Sequence, residues 1–188
     1  MILIVGDSFA ENFNQSTESW TFLLSQQVST VNLAQAGCGQ YKILKQLKSV
    51  DLNNFDKIII SHTSHTRLHV ENNPYYNTGK HAHADLIYED ILHKPQSKMK
   101  EHLLFFFKRL VDLEYQKFVY ECVCREISEL CKNKDCIHLN FFPQNQVLYI
   151  HFTKVLEMHN IWKNYPGTVN HLNLEGNCAV YEKICELI

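Results

Sequence analysis

The chain alternates short apolar bursts with polar stretches. The first burst, Ile2-Leu3-Ile4-Val5, ends at Gly6-Asp7-Ser8. An unbroken apolar run of this length predicts a strand covered on both faces, as in a parallel sheet. Trp20, Phe22, Leu23, Leu24 and Val28 then recur at roughly helical spacing, with Ser16, Thr17 or Ser19 available as the cap. Thr30 to Ala34 reads as a second strand, broken by Ala36-Gly37-Cys38-Gly39. Tyr41 to Val50 places Ile43, Leu44 and Leu47 on one helical face, and Lys57 to Ser61 is a third apolar strand. The order β-α-β-α-β predicts a parallel sheet with helices on both sides.

From His62 to Lys80 the periodicity disappears, and Asn72-Asn73-Pro74 and Asn77-Thr78-Gly79 are turn signals. A loop this long inside a compact domain is usually functional or mobile. Ala82 to His93 reads as a helix. Residues 95–132 read as one long helical segment, with apolar positions from Leu103 to Leu130. Asp135 to Phe141 is expected as a fourth strand, Gln146 to Phe152 as a fifth, and Asn173 to Ile188 as a closing helix. The expectation is a single α/β domain over residues 1–188. It has three layers, α/β/α, around a parallel sheet of about five strands.

Composition narrows the partners. A formal charge of -2 offers no basic field for nucleic acid. No stretch reaches the ~18 apolar residues that span a bilayer. The seven cysteines are odd in number and show no repeated frame, which predicts free thiols and a reducing, cytoplasmic setting. The apolar N-terminus is too short for a signal peptide and has no basic residues before it.

Two local patterns carry chemistry. Val5-Gly6-Asp7-Ser8-Phe9 sets a serine at the carboxyl end of the first strand, where open α/β sheets bind ligands. A helix following Ser8 would aim backbone N–H groups at developing negative charge. Pro166-Gly167-Thr168-Val169-Asn170-His171-Leu172-Asn173 sets a histidine just before the last helix. A serine hydroxyl is a weak nucleophile until a base takes its proton, and neutral imidazole is the usual base near pH 7.

These residues resemble the SGNH (GDSL-type) hydrolases. Gly6-Asp7-Ser8 is similar to the family's first block, which implies Ser8 as nucleophile and as oxyanion donor through its N–H. Asn32-Leu33-Ala34-Gln35-Ala36-Gly37 is similar to the second, implying Gly37 as another oxyanion donor. His171-Leu172-Asn173 resembles the fifth, implying His171 as the catalytic base. Asp7 is expected to be structural, bonding nearby backbone. The resemblance implies an esterase or acyltransferase acting on small or carbohydrate esters, without a cofactor or metal.

The chain departs from the family twice. The third block normally ends in Gly-x-Asn-Asp, whereas Ile58-Ile59-Ile60 runs here into Ser61-His62-Thr63-Ser64-His65-Thr66-Arg67. His65 falls where the oxyanion asparagine would be, with Arg67 as a supporting positive charge. The acid three residues before the histidine is replaced by Thr168. Loss of one oxyanion donor costs roughly 3 to 4 kcal/mol in a well-studied protease. Loss of the orienting acid costs about four decades in rate. A Ser-His dyad steered by a backbone carbonyl, with the His65 ring as third donor, is the reading that keeps activity.

Two other classes compete. The missing Asn and Asp favour a binding or scaffold protein on a degenerate SGNH fold. His62, His65, His69, His81 and His83 raise a metal-dependent hydrolase, although they lack a ligand-spacing motif. Cys122 and Cys124 fall on opposite sides of a helix and read as small apolar residues. The Leu103 to Leu130 pattern reads most simply as core, with a lid or a homodimer face as the alternatives.

Overall fold

The computed structural model describes residues 1–12, 18–76, 82–167 and 171–188. Five parallel strands form one sheet: β1 (Ile2–Gly6), β2 (Thr30–Asn32), β3 (Lys57–His62), β4 (Asp135–Asn140) and β5 (Val155–Glu157), in the order β2-β1-β3-β4-β5. Helices α1 (Trp20–Ser25), α2 (Gln40–Lys48), α3 (Tyr88–Leu92), α4 (Lys98–Arg109), α5 (Leu113–Cys131), α6 (Leu148–His151), α7 (His159–Asn164) and α8 (Leu174–Cys185) connect and cover it.

Alternation along the central strands divides the core in two. Leu3, Val5, Ile58 and Ile60 face α2 and α5, meeting Ile43, Leu47, Val123 and Ile127. Ile2, Ile4, Ile59 and Ile137 face the other way, against Trp20, Leu24, Val180 and Ile184 of α1 and α8. This is the expected three-layer α/β/α arrangement. The connection out of β1 runs to β2 on one side, and the chain then crosses to β3 on the other. The reversal of strand order therefore falls between β1 and β3, where such sheets open a crevice beyond their carboxyl ends.

β1 and β3 end together, with Gly6 opposite Ser61. Gly6 has φ +153°, and a Cβ there would lie 2.7 Å from that of Ser61. Only glycine permits the two strand ends to close up in this way.

Several element boundaries differ from the sequence reading. The 95–132 segment is two helices, because the Asp112 side chain accepts from the N–H groups of Glu114 and Tyr115 and starts α5 afresh. None of the α4 residues is buried, so the first half of the Leu103–Leu130 pattern is not core. Gln146–Phe152 is not a strand: Leu148 and Phe152 are buried four residues apart while Tyr149 and Ile150 face out, which is helical spacing. The fifth strand is Val155–Glu157. Within Ala82–His93 only Tyr88–Leu92 is helical, since Leu86 pairs with Leu68 in an isolated bridge. β2 stops at Asn32, whose side chain accepts from the N–H of Ala34. Ser19 is the α1 cap, accepting from Phe22 N–H; Ser16 and Thr17 lie outside the described residues. Among those described, no helix is long and apolar enough to cross a membrane. The seven cysteines are free thiols.

Candidate functional site

Ser8 occupies a turn directly after β1, not the start of a helix. The Asp7 carbonyl accepts from Ala10 and Glu11 N–H, both at 3.1 Å, and its Oδ1 accepts from Phe9 N–H at 3.1 Å. Gln46 of α2 fixes the strand end below this turn. Its Oε1 accepts from Gly6 N–H at 2.8 Å and its Nε2 donates to Gly6 O at 3.1 Å. Asp7 thereby ties the turn together through its own backbone and side chain, and Ser8 is left half-buried at the rim.

His171 stands ahead of α8, in a segment held by a bridge between Pro166 and Leu172 and by Gly167 N–H donating to His171 O. Its ring centroid is 5.8 Å from that of Phe9, the residue after Ser8. A chain of hydrogen bonds joins the two segments. Trp20 Nε1 donates to Phe9 O at 2.7 Å, and Trp20 N–H donates to Asn177 Oδ1 at 3.1 Å. Asn177 Nδ2 donates onward to Asn173 O at 2.9 Å. Residues from near both ends of the sequence therefore meet at one edge of the sheet. Thr168 lies outside the described residues.

Burial raises the pKa of the Asp7 carboxyl; the Arg67 charge, Phe9 N–H, Thr63 hydroxyl and His171 oppose this. Arg67 NH2 is 3.9 Å from Asp7 Oδ2, and its Nε donates to Thr63 Oγ1 at 2.7 Å. The Thr63–Arg67 segment is in this way tied to the Ser8 turn. Gly37 has φ +75° and presses on the 84–85 segment, where a Cβ would fall 2.5 Å from that of Ala84. Its carbonyl accepts from Asp85 N–H. The Cys38 thiol next to it is pushed up to about 12 by burial and by Asp85, so it supplies no thiolate near neutral pH.

His65 turns toward α5, its ring centroid 6.2 Å from that of Tyr120. There it lines a cleft of about 300 Å³ between the turn after β3 and the α4–α5 junction, which neither Ser8 nor His171 lines. The loop histidines do not gather. His62 is fully buried with both ring nitrogens engaged, by Gln40 Nε2 at 2.7 Å and His138 Nδ1 at 2.9 Å. His69 contacts Asp85, and His83 contacts the Glu71 carbonyl. Among the described residues no three His, Cys, Asp or Glu side chains are grouped to hold a metal ion; His81 lies outside them.

Sequence reasoning missed the polar layer beneath this edge. Thr63 O accepts from Tyr120 Oη at 3.0 Å and Asn145 Nδ2 at 2.8 Å. Asp85, fully buried, accepts from Gly39 and Val70 N–H and pairs with Lys42 at 2.7 Å, holding Val70 and its own segment to the start of α2. The available signal was polar residues ending apolar strands, His62 and Asn140; Asn145 carried none. No protein-family model matches this chain, and no curated protein matches it in sequence.

Proposed function

We propose that this chain is a serine hydrolase of ester bonds working through a Ser8–His171 dyad, in the manner of the SGNH family its motifs resemble. The observation that carries the reading is the meeting of the Ser8 turn and the His171 segment, with Phe9 and His171 rings 5.8 Å apart. Ser8 Oγ attacks the ester carbonyl while His171 takes its proton. The imidazolium returns that proton to the leaving alcohol, giving an acyl-serine. Water, or a sugar hydroxyl in a transferase, then attacks this intermediate, and Ser8 leaves with its proton restored. Backbone N–H groups of Ser8 and Gly37 stabilise the oxyanion; the His65 ring, turned toward α5, becomes a third donor only by swinging back from the cleft. Small and carbohydrate esters are the substrate class.

Hydrolysis of p-nitrophenyl acetate tests this. Ser8→Ala and His171→Ala should each lower turnover by about four decades or more, leaving only what the backbone oxyanion donors supply. His65→Ala should lower kcat by about 10²-fold or more if the ring is a donor. An unchanged rate removes it from that role.

One observation favours a second reading, a binding protein on the same fold: the cleft is lined by neither Ser8 nor His171. Folded wild-type protein without esterase activity would support that reading.

A further inference from the structure

We infer that the cleft between the turn after β3 and the α4–α5 junction binds a medium-chain carboxylate, head group toward Arg67 and tail along the two helices. This goes beyond the Ser8 chemistry and holds with or without it.

The two sides of the cleft differ in chemistry. Its helical side is formed by Phe106, Leu110, Tyr115 and Val119. Leu110 and Tyr115 are each 64% exposed, a large apolar area for water to contact. A volume of about 300 Å³ is at the small end of ligand sites, sized for a short tail rather than a large cofactor.

The side nearer the sheet is polar. Arg67 carries five N–H donors in a planar fork. Its Nε bonds Thr63, and the nearest acid, Asp7, stands 3.9 Å from one terminal nitrogen, too far for a strong bond. A carboxylate matches that fork. The two acids on the cleft do not compete for it. Asp85 is held by Lys42 and by two backbone N–H groups, and Asp112 caps α5. Gln116 lies one turn before Tyr120 on α5, and Tyr120 reaches Thr63 O, so Gln116 shares the face turned to the His65–Arg67 segment. Its Oε1 is buried with no hydrogen-bond partner, a costly state that a hydroxyl on the ligand would relieve. The ligand class is therefore a medium-chain acid carrying a hydroxyl near its carboxylate.

Calorimetric titration of the full chain with decanoate and with 3-hydroxydecanoate, below their micelle concentrations, tests this. Both should bind saturably, the hydroxy acid more tightly, and Gln116→Leu should abolish the difference. Val119→Trp, which fills the cleft, and Arg67→Gln should each weaken binding about tenfold or more. Leu110→Glu, at an exposed position, sets a charge against the apolar tail and gives the same reading if Val119→Trp does not fold. Absence of saturable binding to the wild type, or binding that survives both Leu110→Glu and Arg67→Gln, would overturn the assignment.

Discussion

His62 Nε2 lies 2.9 Å from His138 Nδ1, joining two adjacent strands through a pair of buried imidazoles. Gln40 Nε2 lies 2.7 Å from His62 Nδ1, so both ring nitrogens of His62 are engaged. Phe152 stacks on His138 with centroids 3.9 Å apart and closes the site from water.

Acid should weaken the fold through this pair. Burial, reinforced by His138, holds His62 well below its ordinary value, and burial takes His138 down to about 3. As pH falls below about 6.5 the unfolded chain binds protons that the folded chain refuses. Stability is thus present above that value and is lost as pH drops toward the folded pKa values. The slope between pH 5 and 6 should approach about 1.4 kcal/mol per pH unit for each histidine. Urea unfolding at stepped pH measures it, and His138→Gln should reduce the slope by about half. A flat profile from pH 5 to 7 would show that the pair is not buried and neutral.

Asp7 should behave in the opposite sense. Its pKa is raised by burial, so its contribution is fully present below the unfolded carboxylate value and fades as pH rises through the folded one. Asp7→Asn keeps an acceptor for Phe9 N–H and removes the buried charge. The variant should match or exceed wild-type stability at pH 7, by about 1.4 kcal/mol for each pH unit of displacement, and lose that advantage near pH 3. A loss of stability at pH 7 would mean that the Arg67 contact outweighs burial.

Asn177 should matter to both folding and the site. Its amide serves Trp20, Leu172 and Asn173 at once, and it is the junction between the Ser8 turn and the His171 segment. Asn177→Ala leaves Trp20 N–H without its acceptor and should cost about 1 to 3 kcal/mol in urea unfolding. Ester hydrolysis should fall by more than the unfolded fraction explains. Unchanged activity in folded variant protein would show that the two segments keep their positions without this link.

The first half of the sheet was legible because its signals are local. Ile2–Val5 and Ile58–Ile60 are apolar runs that a doubly covered strand explains, and Ser19 stands where a cap is needed. The misread parts depend on contacts distant in sequence. Val147, Leu148, Tyr149 and Ile150 look like a strand until Leu148 and Phe152 are seen to enter the core beside α5. Asp112 sits within an otherwise continuous apolar pattern, and its capping role appears only when its carboxylate meets the N–H groups ahead of it. Ser8 and His171 could be picked out as motif residues. Their linkage through Trp20 and Asn177 could not, since it joins positions 157 apart in the chain.

Labelling of Ser8 by a fluorophosphonate probe, located by peptide mass spectrometry, reads whether His171 activates Ser8 as proposed. Wild-type protein should take up one probe per chain at Ser8, with a rate that collapses in His171→Ala. Folded wild-type protein that leaves Ser8 unmodified, or labelling that proceeds equally well in His171→Ala, would contradict the account.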